Sequence, residues 1–155
     1  MIEQPIPIPD ADTFAPGGPG AAMAAYAQFV VWKIEERADG KPAKVPCDPA
    51  NGRRINAQNP DYQMTWQDAL TVARQRGLGV GFVFTQHDPF AFIDLDDCRD
   101  DAGEWTGLAH DVYDRFERAY AEISQSGRGL HLIFTAGVPA HKKRANGVEF
   151  YTGGR

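Results

Sequence analysis

An apolar run interrupted by acids is the feature that most restricts how this chain can fold. Residues 90–97 read Phe-Ala-Phe-Ile-Asp-Leu-Asp-Asp, and a stretch of this composition favours a buried β-strand. Because side chains alternate across a strand, Asp94 and Asp96 would share one face, about 6.6 Å apart, while Ile93 and Leu95 anchor the other. Two like charges held that close repel unless a cation neutralises them, so the pair predicts a metal site.

Length and composition fit one globular domain. With 155 residues and 43% apolar content, the chain is long enough for a core, and a second full domain is not expected. No apolar run approaches the length of a membrane span, and the N-terminus lacks the pattern of a secretory signal. We therefore predict a cytoplasmic protein without a membrane partner. Cys47 and Cys98 fit neither a disulfide framework nor a zinc motif, which predicts reduced thiols.

The net charge of −5 is unevenly distributed along the chain. Residues 87–122 contain 11 acids and 3 bases, whereas residues 124–155 contain 5 bases and a single acid, Glu149. Acids that bind metal do not repel phosphate as free acids do. The acidic balance therefore does not exclude a nucleic-acid partner.

The chain divides by composition into an arm and a mixed domain. Residues 1–20 are rich in proline and glycine and are interpreted as an extended N-terminal arm, with residues 21–155 as the folded domain. Five segments have the composition of strands: 29–34, 78–84, 90–97, 129–134 and 148–151. Two segments have helical spacing of apolar residues: 65–77 and 108–119.

Two basic segments interrupt this pattern. The run Lys41-Pro-Ala-Lys44-Val-Pro is extended because its prolines exclude a helix, and it is either a solvated loop or a phosphate-contacting arm. The loop of residues 139–147 contains His-Lys-Lys-Arg and is equally consistent with a solvated turn and a template contact.

Residues 124–129, Ser-Gln-Ser-Gly-Arg-Gly, form a serine–glycine turn. The hydroxyls of Ser124 and Ser126, with the conformational freedom of Gly127, are the ingredients of an anion-binding nest. His131 follows in the next strand. A lone strand histidine is usually a core residue with its hydrogen bonds satisfied, but one that follows a carboxylate pair and an anion nest is a candidate for substrate contact.

Together these motifs resemble the N-terminal primase-polymerase domain of phage and plasmid replication proteins, within the archaeo-eukaryotic primase superfamily. The similarity runs from about residue 29 to residue 155 and depends on the order and spacing of its motifs. They are the Trp32 strand and residues 41–46, 79–84, 93–97, 122–131 and 149–151.

The resemblance implies a fold and a set of site residues. The fold is α/β (α+β), a small domain with a mainly antiparallel sheet of RNA-recognition-like topology flanked by helices. Asp94, Asp96 and Glu149 are implied as catalytic ligands of a two-metal site for Mg²⁺ or Mn²⁺. The implied nucleotide-binding residues are Ser124, Ser126, Gly127, His131, Lys41, Lys44 and Arg155. In the family the sequence continues into a further strand, so we expect a domain truncated at its C-terminus.

The implied activity is template-dependent DNA priming and polymerisation in phage or plasmid replication. A primer hydroxyl attacks the α-phosphorus of a dNTP or NTP and pyrophosphate leaves, which requires hard carboxylate ligands for the two ions. His131 and the turn around Ser126 would hold the β- and γ-phosphates. The implied partners are single-stranded DNA template and primer, with a helicase or other replication domain in cis or in trans.

Other function classes remain open on the residues alone. A metal-dependent phosphohydrolase typically has Thr or Val shortly after its nucleophilic Asp. The segment Leu95-Asp96-Asp97-Cys98 contains neither residue. A rolling-circle nickase needs paired metal-binding histidines, and the strand supplies only His131. The non-enzymatic alternative is a nucleotide- or nucleic-acid-binding module that retains the sheet without turnover.

Overall fold

The computed structural model describes residues 12–117, 119–136 and 144–152, and the chain forms two compact units. The first unit is Met1–Val83 and the second is Phe84–Arg155. Each contains one antiparallel sheet, of three and five strands respectively, and one α-helix. The expected mixed α/β class with antiparallel pairing is confirmed. None of the helices in the described ranges has the length and apolar character needed to cross a membrane.

The first unit is built on a three-stranded sheet. Strand β1 (Phe29–Glu36) lies at its centre, with β2 (Pro42–Cys47) and β3 (Gly79–Phe82) antiparallel on either side. The segment predicted to be extended is thus an edge strand, a position that tolerates proline because its outer N–H groups have no ladder partner. Short 3₁₀ helices cover Ala21–Ala25 and Pro60–Tyr62.

Helix α1 (Trp66–Arg76) begins and ends where the sequence predicts. The Thr65 hydroxyl caps it by accepting a hydrogen bond from the Asp68 amide at 3.2 Å. Gly77 ends it with a φ of +65°, which glycine adopts without steric strain. Its buried residues are Ala69, Leu70 and Ala73.

The described part of the predicted arm packs onto this unit. Residues 12–20 form successive turns, and Phe14 is buried, with its ring 5.0 Å from that of Phe29 and 6.0 Å from that of Trp66. Residues 1–11 lie outside the described ranges, so the arm and its boundary at residue 20 stay a prediction.

The second unit contains the five-stranded sheet. Its strands are β4 (Phe90–Leu95), β5 (Tyr120–Ile123), β6 (Leu130–Thr135), β7 (Arg144–Ala145) and β8 (Val148–Tyr151). They lie in the order β5-β6-β4-β8-β7. The central strand β4 is buried along its whole length, as its apolar sequence predicts.

Helix α2 (Gly107–Arg115) covers one face of this sheet. The core between them consists of Ile93, Leu95, Cys98, Ala109, Leu130 and Leu132. The helix is shorter than the predicted 108–119, because the backbone leaves the helical conformation at Phe116. Ala119 contacts the same core from outside the helix. Its position in the apolar pattern therefore reflects burial and not helical periodicity.

Trp32 packs against strand β3, where glycines leave room for its indole. Gly79 is its partner in the register, and a Cβ at Gly79 would overlap the indole ring. A Cβ at Gly81, on the same strand, would lie 3.4 Å from the ring, an ordinary contact.

We predict that Gly79→Ala lowers the free energy of unfolding by about 2–3 kcal/mol, because overpacking displaces the buried indole. The matched control Gly81→Ala should change it by about 1 kcal/mol or less. Urea denaturation followed by tryptophan fluorescence measures both values. Equal values for the two variants would contradict the close packing of Trp32 on Gly79.

Candidate active site

A single row of polar side chains crosses the five-stranded sheet. The register places Asp94 of β4 opposite His131 of β6 on one side and Glu149 of β8 on the other. His131 is in turn opposite Glu122 of β5, and Glu149 is opposite Arg144 of β7. Directly opposed residues of antiparallel strands share a face. These five residues, called the polar row below, therefore lie on one face, and the core under α2 lies on the other.

Asp94 is at the centre of the polar row. Its side chain is buried, at 4% exposure, and its Oδ1 lies 3.5 Å from Nε2 of His131. A carboxylate is costly to bury without a compensating charge. The imidazole supplies that charge when it is protonated.

His131 lies between two carboxylates. Its Nδ1 is 3.0 Å from Oε1 of Glu122, and its Nε2 faces Asp94. Burial lowers the pKa of His131, but the hydrogen bonds and charges of Asp94 and Glu122 raise it by more, to about 9. The imidazole is therefore protonated at neutral pH when no other cation is bound.

Glu149 is the second buried acid of the row, at 8% exposure. Its Oε1 forms an ion pair with the Arg144 guanidinium, and its Oε2 accepts a hydrogen bond from the Tyr151 hydroxyl. Both carboxylate oxygens are thus engaged by neighbouring side chains of the β7–β8 hairpin.

Asp96 lies outside the strand, contrary to the predicted strand over residues 90–97. Strand β4 ends at Leu95, and Asp96 is exposed in the turn that follows. The turn is set by Asp97, which has a φ of +50° and whose carboxylate is 2.6 Å from Nε of Arg128. Because β4 ends at Leu95, the alternation of side chains along the strand does not extend to Asp96. Asp94 and Asp96 are therefore not placed on one face by strand geometry.

The side chains of the described residues are not arranged as a complete metal-binding site. Among them, no group of three or more His, Cys, Asp or Glu side chains is arranged to hold a metal ion. The donor chemistry suits Mg²⁺ or Mn²⁺, because Asp94 and Glu149 are carboxylates on adjacent strands. The third predicted ligand, Asp96, lies in the exposed turn after β4, and Glu149 is paired with Arg144.

The serine–glycine turn closes the β5–β6 hairpin. The Ser124 hydroxyl accepts a hydrogen bond from the Gly129 amide at 2.9 Å and lies 3.0 Å from the Ser126 hydroxyl. Gly127 has a φ of +76°, which explains the glycine. The next residue, Arg128, binds both Asp97 and Asp101. The turn is therefore tied to the loop that carries Asp96.

The remaining predicted nucleotide contacts, Lys41, Lys44 and Arg155, stay predictions. Lys41 and Lys44 belong to the first unit, where Nζ of Lys44 lies 4.8 Å from the ring centroid of Trp32, a cation–π contact. Lys41 is exposed before β2. Arg155 lies outside the described residues, as do residues 137–143 of the predicted basic loop.

Sequence reasoning missed three contacts of the site: Glu122, Arg144 and Tyr151. A signal for Arg144 was present, because Asn146-Gly147 is a strong hairpin signal and pairs the residues on either side of it. The compact serine–glycine turn likewise predicts a hairpin. Identifying the Glu122 contact additionally required the register, which the turn residues alone do not fix.

Comparison with known proteins identifies a similar phage protein. No protein-family model matches the sequence. The chain is 34% identical over 149 residues, covering 86% of its length, to a DNA primase-polymerase of Nitratiruptor phage NrS-1. It spans 19% of the length of that relative.

The raised pKa of His131 makes stability depend on pH. A group whose pKa rises on folding stabilises the folded state fully below its unfolded pKa, near 6.5, and loses that contribution as pH rises through about 9. We predict that, in the presence of a chelator, the free energy of unfolding falls by about 2–3 kcal/mol more in the parent than in His131→Gln between these pH values.

Urea denaturation across this pH range measures the difference. The control is His110→Gln, which removes an imidazole that is exposed on α2 and is not part of the polar row. A profile for His131→Gln as steep as that of the parent would show that the Asp94 and Glu122 carboxylates do not act on His131.

Proposed function

Starting from the finding that this chain carries a domain of the primase-polymerase type, we propose that it binds a nucleoside triphosphate and divalent cations at the polar row. There it extends a primer on a single-stranded DNA template, and it also starts primers. The observation that supports this most directly is the shared register of Asp94, His131 and Glu149 on one sheet face. Two acids beside a cationic imidazole suit a metal-bound polyphosphate.

Asp94, Asp96 and Glu149 are the residues that would hold Mg²⁺ or Mn²⁺. When bound, such ions lower the pKa of the attacking hydroxyl and neutralise the leaving pyrophosphate. Asp94 is already buried and fixed by strand pairing on both sides. It is therefore the ligand whose position depends least on other movements.

His131 positions the substrate in this proposal. Its protonated imidazole is the cation next to Asp94, and Nε2–H can donate to a phosphate oxygen of the triphosphate. The Ser126 hydroxyl and the serine–glycine turn lie at the end of the same hairpin and supply further donors. No side-chain nucleophile is required, because the primer hydroxyl attacks the α-phosphorus as the bond to pyrophosphate breaks.

The proposed partners are dNTP or NTP, single-stranded DNA template and primer. The sequence resemblance extends the proposal to phage or plasmid replication and to a helicase or other replication domain in cis or in trans. Lys41, Lys44 and Arg155 stay candidates for phosphate contacts.

A binding module without turnover is the second candidate. Two observations favour it: Glu149 is held by Arg144 and Tyr151, and no three-ligand group converges among the described side chains. Such a module would bind a nucleotide at His131 without the ion geometry that transfer requires.

Primer extension separates these functions. With dNTPs or NTPs and Mg²⁺ or Mn²⁺, we predict that the chain extends a primer and that Asp94→Asn and Asp96→Asn each lower the rate at least a hundredfold, since several kcal/mol of charge stabilisation is lost. Asp114→Asn, an exposed substitution on α2, removes the same charge and should leave the rate unchanged.

Two results would contradict polymerase activity. Nucleotide binding without product from any variant would favour the binding module. Phosphate release from a simple monoester, lost in Asp94→Asn, would favour a phosphohydrolase.

A further inference from the structure

Glu122 ends the polar row on strand β5 and is not among the residues expected to touch metal or triphosphate. We propose that Glu122 is a positioning residue for His131: it holds Nδ1 of the imidazole, so that only Nε2 is presented to the triphosphate. This inference rests on the proposed function for the identity of the ligand. The contact itself does not depend on that function.

The Glu122 carboxylate is fixed at both oxygens. Oε1 lies 3.0 Å from Nδ1 of His131, and Oε2 accepts a hydrogen bond from the Tyr120 hydroxyl at 3.0 Å. Tyr120 and Glu122 are two residues apart on one strand and therefore share a face. The tyrosine restrains the carboxylate, and the carboxylate in turn restrains the imidazole.

An imidazole can present either nitrogen, because rotation about its outer side-chain bond exchanges their positions. An acceptor at Nδ1 requires a proton on that nitrogen and fixes the ring orientation. Nε2 then faces Asp94, with 3.5 Å between Nε2 and Oδ1. The Phe92 ring, 5.1 Å from the imidazole centroid, limits the same rotation.

Glu122 is poorly placed to act as a further metal ligand alongside Asp94. His131 lies between them in the register, so the two carboxylates are two strand spacings apart, about 9–10 Å. Ions of a two-metal site lie about 3.5–4 Å apart, and their ligands contact them directly. The spacing is therefore consistent with Glu122 acting through His131. It is not consistent with Glu122 and Asp94 coordinating the same ions.

A purely structural role is also a poor fit. The Glu122 side chain is 41% exposed on a strand at the sheet edge, where solvent screens its charge, and Asp94 still faces the imidazole when Glu122 is removed. Its removal should therefore leave the fold intact and release the imidazole. This predicts a loss of substrate affinity with little loss of stability.

The first test observes the imidazole directly by proton–nitrogen NMR of the side chain in slightly acidic solution. In the parent, the Nδ1 proton should be visible because its bond to Glu122 slows exchange with water. The signal should persist in Glu122→Gln, which keeps an acceptor oxygen, and vanish in Glu122→Ala. A protected Nδ1 proton in Glu122→Ala would overturn the proposal.

The second test measures the Kd for a deoxynucleoside triphosphate with Mg²⁺ by calorimetry. Glu122→Ala should bind about tenfold more weakly, the usual consequence of losing a hydrogen bond to a charged group. Glu122→Gln should recover most of that loss. The control Glu117→Ala removes an exposed acid and should bind as the parent does. Unchanged affinity in Glu122→Ala, with weakened binding in His131→Ala, would overturn the positioning role.

The two tests separate this inference from the proposed function. If the parent binds no triphosphate and extends no primer, the proposed function fails. The Nδ1 proton still decides whether Glu122 fixes the imidazole. If the proton behaves as expected, and the affinity for triphosphate falls in Glu122→Ala but is largely kept in Glu122→Gln and Glu117→Ala, the positioning role stands even where primer extension is absent. Thermal melting of each variant identifies any that does not fold. If Glu122→Ala does not fold, Glu122→Gln is compared with the parent instead.

Discussion

The antiparallel pairing of β4 with both β6 and β8 is the constraint on which the site depends. Strand β4 is buried on both faces, so a slip of one residue would turn Asp94 into the core under α2 and turn Ile93 toward the polar row. Burying a carboxylate in that core without a partner is costly. The apolar packing of Leu95 and Leu132 beneath α2 therefore also fixes Asp94, His131 and Glu149 in one line.

Within this line, charge compensation explains how two acids are buried. Asp94 lies beside the imidazole of His131, and Glu149 beside the guanidinium of Arg144. The protein's own cations thus compensate the charges of Asp94 and Glu149, whereas the sequence predicted a bound cation beside Asp94 and Asp96. An incoming divalent cation would compete with both, so ion binding, the pKa of His131 and the Glu149–Arg144 contact are linked.

The sequence was informative wherever a local rule decided the structure. Alternation of side chains correctly placed Asp94 and His131 in strands, and the Thr65 cap with Gly77 bounded α1. Prediction from the sequence failed where contacts between residues far apart along the chain determine the local structure. Asp96 leaves the strand because Asp97 turns the chain and binds Arg128, 31 positions away. The contact of Glu122 with His131 likewise depends on register, which composition does not reveal.

The most direct test of the polar row as a metal and triphosphate site is the position of a bound Mn²⁺ ion relative to the histidines. Side-chain NMR signals of His131 and His110 can be followed as Mn²⁺ is added below one equivalent. We predict that His131 broadens first and that Asp94→Asn abolishes this effect. His110 on α2, across the sheet, should stay sharp. Earlier or equal broadening of His110, or broadening of His131 that survives Asp94→Asn, would contradict a metal site centred on Asp94.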